Sequence, residues 1–394
     1  MKVPQQDLPK WINEQFFVKV IRSCVSDKDV KILSFSINSA SKSNDPFASP
    51  IFRATVTVWS KQTPQTNFSF ILKVPSAARP VKEDISFENE ISVYSSTLDE
   101  MHRLLNRAGE NTQLGPRVIY YTAESNAVIV LEDLDEKMYL VPETTLNLDK
   151  TLATIFKLAR WHATSFFMAK EHQSVSSFAS GIFNKKYSEN LTFMYESYRY
   201  FVNEIKTWEG YDDYAERLSK LESSFFAKGK DIFTAKTNGF NVLNHGDLNY
   251  KNILTKGDNE KNDILFVDYQ YCVWATPAID IFSVLYLVAS AEIRQRFRNE
   301  LITYYYNEFV KTLMSIGNLS KPPSMLDLQI ELQQSGFLEV VIAVCHLPFL
   351  LVNEDVINDK TATAKLREVA YSNPEFKSII KSQLPYFLTK GFLN

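Results

Sequence analysis

The residues best suited to chemistry fall in one short stretch, His245-Gly246-Asp247-Leu248-Asn249-Tyr250-Lys251-Asn252. The apolar run FNVLNH leads into it, and Ile253-Leu254 leaves it. Asp247 is followed five residues later by Asn252, and Asp268 stands a further sixteen residues on, at the end of ILFVD. Phosphoryl transfer needs such a set: one carboxylate accepts or orients the proton of an attacking hydroxyl, while an amide oxygen and a second carboxylate hold Mg²⁺ on the phosphate oxygens. The Asp-x₄-Asn spacing equals that of the H-R-D-x-x-x-x-N loop. The competing reading is a polar loop whose Asp and Asn only cap a hairpin.

A nucleotide-dependent transferase also needs a strand Lys and a helix Glu to hold phosphates. FSFILKVP places Lys73 in an otherwise apolar strand, flanked by Ile71, Leu72 and Val74. Glu90 lies seventeen residues later in a helical pattern, with Phe87, Ile91 and Tyr94 on its apolar side. Glu88 is the competing partner. The polar stretch Ser41–Pro50 precedes Lys73 where a phosphate-covering loop belongs, and Asn44 and Ser49 could anchor it. VIVLEDL (Val128–Leu134) ends the strand-rich half and offers backbone groups to an adenine edge. The elements arrive in the order loop, Lys73, Glu90, hinge, His-Gly-Asp loop, Asp268.

The elements that must position these residues change style along the chain. Residues 8–24 carry a one-sided apolar stripe, a helix signature. Val30–Ile37, Phe52–Ser60, Asn67–Val74, Arg117–Tyr121 and Ala127–Leu131 predict five strands, the first three an antiparallel meander. Residues 83–107 return to helical spacing. From about residue 135 helices dominate, over 148–170, 187–207, 212–235 and from Pro277 onward. Two short strands, FNVLNH and DILFVDY, interrupt them. This predicts an α+β chain of two lobes: residues 1–134 with the N-terminal helix, the sheet, the Lys/Glu helix and a hinge at 131–134, then a larger helical lobe over 135–394 containing loop 245–252 and Asp268.

Composition excludes several alternatives. The net charge is -3, with 43 Lys+Arg against 46 Asp+Glu, so no polybasic surface for nucleic acid is implied. Three scattered cysteines make neither a disulfide framework nor a zinc knuckle and fit a reducing, cytoplasmic setting. The most apolar stretch, Phe337–Val352, falls short of a membrane span and predicts a buried helix. None of the 11 glycines precedes Gly109, which excludes a P-loop or a G-x-G-x-x-G at the front of the chain. No G-x-S-x-G or H-E-x-x-H occurs. No obligate protein partner is evident.

PKWINEQFF, FASPIFRATVTV, FILKVP, FENEISVY, VLEDL, KLARWHA, LNHGDLNYKN, FVDYQ and PAIDIFSVLY together resemble the ecdysteroid kinase-like (CHK kinase-like) branch of the aminoglycoside-phosphotransferase and choline-kinase superfamily. The resemblance runs from about residue 8 to at least residue 290 and implies a protein kinase-like two-lobed fold. It implies ATP and Mg²⁺ as cofactors, Asp247 as catalytic base, Asn252 and Asp268 as Mg²⁺ ligands, and Lys73 with Glu90 on the phosphates. It places Ser49 in the covering loop and Leu131, Glu132, Asp133 and Leu134 at the adenine hinge. His245 and Gly246 become structural members of the loop, and Asp280 the acid bracing it from below. The family usually carries Trp two residues after the base, where this chain has Asn249.

The resulting expectation is ATP-dependent transfer of the γ-phosphate to an alcohol, by resemblance an ecdysteroid or a similar lipophilic hydroxylated compound. Rival expectations are a choline- or aminoglycoside-type kinase, a protein kinase (disfavoured by H-G-D and the missing D-F-G), and an inactive nucleotide-binding scaffold. Phe193, Tyr195, Tyr198, Tyr200 and Phe201 are candidates to line the acceptor site. His162 is expected in the core, His346 in the core or facing the acceptor, and His102 and His172 at the surface.

Overall fold

The computed structural model describes residues 8–25, 29–40, 49–61, 65–75, 85–124, 126–171, 173–179, 181–183, 188–257, 263–352 and 363–394. Asn44, residues 41–48 of the expected covering loop, and His172 lie outside these. The chain divides into two compact units: Met1–Asp99 with Gly115–Tyr139, and Glu100–Leu114 with Leu140–Asn394. Residues 100–114, counted above with the N-terminal half, pack with the second unit.

In the first unit Asn13 caps α1 (Glu14–Cys24) by accepting from the Phe16 N–H at 3.2 Å, so the helix begins at Glu14 rather than at residue 8. Strands β1 (Lys31–Ser39), β2 (Ile51–Trp59), β3 (Thr66–Lys73), β4 (Val118–Thr122) and β5 (Val128–Glu132) form one antiparallel sheet in the order β1-β2-β3-β5-β4. Residues alternate across a pleated strand, so Phe52, Ala54, Val56 and Val58 of β2 and Phe70 and Leu72 of β3 share one face. Phe16, Phe17, Val20 and Ile21 of α1 join them in a single core. Lys73 therefore emerges on the opposite face. α2 (Ile85–Ser92) carries Glu90 and continues through a π-helical turn, Val93–Thr97, into α3 (Leu98–Arg107).

The second unit is built on α4 (Leu148–Glu171) packed along the 25-residue α9 (Ala291–Ser315). α5 (Ser188–Ile205), α6 (Asp212–Glu222), α7 (Phe225–Ile232) and α8 (Ala278–Ser283) lie between them in the chain. The helical pattern expected over 212–235 breaks at Ser223-Ser224, between α6 and α7. Four short strands carry the site: β6 (Val242–Asn244), β7 (Ile253–Thr255), β8 (Ile264–Phe266) and β9 (Val273–Ala275). β6 pairs with β9 and β7 with β8, so FNVLNH and DILFVDY are not partners of each other. Trp161 and Ser165 of α4 hold β6, the indole N–H donating to the Leu243 carbonyl at 2.5 Å and the Ser165 hydroxyl accepting from the Leu243 N–H at 3.0 Å.

α10 (Met325–Gln334) and α11 (Gly336–Val341) lead through a second π-helical turn, Ile342–His346, into α12 (Leu347–Leu350). Phe337 to Cys345 is buried, as expected of that apolar stretch. No single helix among the described residues is long and apolar enough to cross a membrane. Helices Thr363–Ser372 and Pro374–Thr389 close the unit.

α4 also holds the 100–114 segment by its charges. Arg160 pairs with Glu110 at 2.6 Å and Glu308 at 3.1 Å, and the fully buried Lys157 donates to the Gln113 carbonyl at 2.5 Å. Burial, and then the neighbouring Arg160, push the Lys157 ammonium down to about 7, against the pull of Asp263. The unfolded chain keeps that proton to about pH 10, so between roughly pH 7 and 10 the unfolded state binds more protons and stability rises with pH. The melting temperature of the wild-type chain relative to Lys157→Met should increase between pH 7 and 9. A difference that stays constant over that range would show that Lys157 does not titrate there.

Candidate active site

The loop from β6 to β7 places Asp247 between two amides. Asn249 Nδ2 donates to Asp247 Oδ1 at 3.1 Å, and Asn252 Nδ2 donates to Asp247 Oδ2 at 3.0 Å and to its backbone carbonyl at 2.9 Å. Asn249 uses its oxygen as well: Oδ1 accepts from the Lys251 N–H at 3.0 Å and caps the short 3₁₀ turn Tyr250–Asn252. This grip on Asp247 was not drawn from the sequence, although Asp-x-Asn carries a signal for it, since short polar side chains bond backbone two residues away.

Two further contacts join this loop to Val267, the residue before Asp268, and a third lies within the loop. His245 Nε2–H donates to the Val267 carbonyl at 2.9 Å, its Nδ1 faces the Asp247 N–H at 3.4 Å, and the Val267 N–H donates to the Asn252 carbonyl at 3.1 Å. Asp268 itself has φ +69°, left-handed backbone that a non-glycine residue adopts at a cost of about 1–3 kcal/mol. Such strain persists where surrounding contacts over-determine it, and those contacts are the His245 and Asn252 ties on the residue before it.

Asp280, at the start of α8, holds the loop from beneath. Its Oδ2 accepts from the His245 N–H at 2.6 Å and its Oδ1 from the Gly246 N–H at 3.0 Å. His162 of α4 donates to Oδ2 at 3.1 Å. A carboxylate only accepts, so in the neutral ring Nε2 carries the proton and Nδ1 accepts from the Tyr305 hydroxyl at 2.7 Å. Burial pushes the His162 pKa down, against the raising effect of Asp280, which keeps the ring neutral near pH 7. Gly246 has φ +81°, and a Cβ there would stand 2.1 Å from the Tyr271 carbonyl oxygen. Glycine is required by both backbone and space.

In the first unit, Lys73 Nζ meets Glu90 Oε2 at 2.7 Å with both side chains buried. Glu88 is exposed. Ser49 is half-buried two residues before β2. At the expected hinge, Leu131 and Glu132 are committed to the sheet: β5 lies between β3 and β4, and the Glu132 N–H donates to the Arg117 carbonyl at 3.0 Å. The Glu132 N–H is thus spent on Arg117. The Asp133 carboxylate is occupied too, accepting from Ser69 at 2.6 Å, Arg53 at 2.7 Å and the Asp135 N–H at 3.1 Å. Burial alone would raise its pKa, but these bonds outweigh burial and hold it below the usual carboxylate range. Leu134 is buried beside them.

Other expectations need adjusting. His102 is not a bare surface residue: it is half-buried, and its Nε2 accepts from the Leu114 N–H at 2.9 Å. Tyr198 and Phe201 are fully buried core residues, Tyr198 donating to the Leu218 carbonyl, so they line no open surface. Tyr195 donates to Glu222, and Tyr200 stacks on Tyr371. Only Phe193 among the five leans toward α12, its ring 4.9 Å from that of Phe349.

The donor set suits Mg²⁺, which takes hard oxygen ligands. With Asn252 Nδ2 committed to Asp247, its Oδ1 is the atom left to face a cation. No cluster of three His, Cys, Asp or Glu able to hold a metal occurs among the described residues. An ion held by Asn252 and Asp268 would complete its shell with phosphate oxygens and water.

An antiparallel sheet with a buried Lys–Glu pair, and a helical unit with a braced His-Gly-Asp loop followed by Asp268, define the α+β protein kinase-like fold of small-molecule phosphotransferases. The chain belongs to the ecdysteroid kinase-like family, whose model matches residues 43–318. No curated protein matches it in sequence. Among solved structures it is similar to a Plasmodium vivax ethanolamine kinase (15% identity, covering 88% of this chain and 83% of that one, TM-score 0.38). It is also similar to a macrolide 2'-phosphotransferase from Brachybacterium faecium (12%, 92% and 99%, 0.38) and to a microcompartment-associated aminopropanol kinase (10%, 97% and 99%, 0.40).

The brace gives a stability test. Asp280→Asn keeps the shape but turns an N–H₂ toward donors, leaving buried N–H groups unpaired. The urea midpoint should fall by an amount equivalent to about 2–4 kcal/mol. A loss below roughly 1 kcal/mol would mean that the loop is held by other contacts.

Proposed function

We propose that this protein transfers the γ-phosphate of ATP to the hydroxyl of an ecdysteroid or a similar lipophilic alcohol, with Mg²⁺ as cofactor. The observation that carries the reading is the Asp247 carboxylate, held by Asn249 and Asn252 while the Asn252 side-chain oxygen accepts no hydrogen bond among the described residues. Asp247 orients the acceptor hydroxyl and takes its proton as the alcohol oxygen bonds to the γ-phosphorus and the bond from phosphorus to the ADP oxygen breaks. Lys73, fixed by Glu90, offsets charge on the phosphates. Mg²⁺ on Asn252 and Asp268 would neutralise the charge that develops on the transferring group. Family membership supports the transferase class, and the family's description is what favours an ecdysteroid-like acceptor.

Asp247→Asn should reduce ADP formation in the presence of an accepted alcohol by about a hundredfold or more, while leaving Mg-ATP binding in place. Asp268→Ala should abolish the rise in melting temperature that Mg-ATP gives the wild-type chain. An Asp268→Ala chain with an unchanged Mg-ATP shift would sink this assignment, as would an Asp247→Asn chain of full activity.

A further inference from the structure

Two helices of the second unit are tied to the loop that carries Asp247. Tyr250, three residues after Asp247, sends its hydroxyl to the Leu350 carbonyl of α12 at 3.4 Å. Behind the loop, the Tyr271 carbonyl fills the space that Gly246 leaves, and the Tyr271 hydroxyl accepts from Asn190 of α5. One turn along α5, Phe193 meets Phe349 of α12. The sequence of contacts begins and ends on the loop 245–252, so the surface between α5 and α12 adjoins the loop that carries Asp247.

That surface is partly open on one helix face. Cys345, Leu347 and Pro348 are buried, whereas His346, Phe349 and Leu350 are only half-buried. These three are spaced i, i+3, i+4, which is one side of a helix. His346 ends the π-helical turn Ile342–His346, a feature frequent at functional sites. Among the described residues, neither nitrogen of its ring has a hydrogen-bond partner. An imidazole packed against apolar neighbours with its polar atoms unspent is placed to meet a ligand group.

We propose that His346, Phe349 and Leu350 of this face, with Phe193, form the wall that receives the acceptor, and that His346 hydrogen-bonds a second polar group on a neutral, lipophilic alcohol. The inference rests on Asp247 being the base. Burial pushes the His346 imidazole down to about 4, so at neutral pH it carries no charge and can both donate and accept. A cationic acceptor is poorly served here. The cation stacked on Phe193, 4.9 Å from its centroid, is already Arg367, which is itself paired with Glu196 at 2.7 Å. A quaternary ammonium would have to displace it to reach that ring.

The test measures phosphate transfer from ATP to ecdysone, a neutral probe, and to ethanolamine, a cationic one, in the full chain. Wild type should favour ecdysone. His346→Phe should raise the KM for ecdysone about tenfold, the worth of one hydrogen bond, with the KM for ATP and the Mg-ATP thermal shift unchanged. His346→Gln, which restores a donor and an acceptor, should recover part of the loss. An unchanged ecdysone KM in His346→Phe, a preference for ethanolamine, or transfer to neither probe overturns the proposal. Failure of the kinase reading itself looks different: Asp268→Ala then keeps its Mg-ATP shift.

Discussion

One carboxylate sets the conformation of the loop from His245 to Asn252. Asp280 is fully buried and accepts three N–H groups, from His245, Gly246 and His162. Two of these are consecutive backbone amides, and pointing both at one carboxylate requires the chain to turn sharply. Gly246 makes that turn at φ +81°, with the Tyr271 carbonyl pressed against it. The next residue is Asp247. Its direction is thus fixed by a buried charge behind it, and the neutral His162–Tyr305 pair fixes that charge in turn. Partly satisfied buried carboxylates are costly. Supplying three donors, with no cation among them, stabilises Asp280 without placing a competing positive charge beside the loop.

The two units position their charged groups with different partners. In the first, Lys73 and Glu90 form a buried ion pair whose desolvation offsets much of its attraction, so it contributes more to the position of the ammonium than to stability. In the second, the side-chain amides of Asn249 and Asn252 both donate to the Asp247 carboxylate. Amide donors position a carboxylate without cancelling its charge, which leaves it able to receive a proton.

Much of this was legible in the chain because it is local. The strands around Lys73 read from alternation, and the Asp-x₄-Asn loop reads from spacing. Glu90 was separable from Glu88 only by its apolar neighbours, and the ion pair decides between them. What the sequence hid depends on contacts between distant segments. The pairing of β6 with β9 rather than β8 joins residues about thirty apart. The use of Asp133 by Arg53 and Ser69 brings together β2, β3 and the segment after β5, and the Glu132 N–H is taken by the carbonyl of Arg117, just before β4. His102 looked like a surface residue because its partner is a backbone N–H twelve residues away, which no side-chain pattern announces.

The absence of glycine before Gly109 first served only to exclude phosphate-cradling loops. The structure gives the glycine at 246 a steric task, clearance for the Tyr271 carbonyl, and moves the recognition problem to the two asparagines that follow. They are not equivalent. Asn249 spends both ends of its amide, Nδ2 on Asp247 and Oδ1 on the Lys251 N–H. Asn252 spends only Nδ2, on the carboxylate and carbonyl of Asp247. Each amide has one oxygen, and only that of Asn252 is left for a cation. An aromatic residue at 249 would fill space beside Asp247 but could not cap the turn that aims Asn252. The small amide at that position therefore acts on Asn252 as well as on Asp247, and it does so through hydrogen bonds rather than bulk.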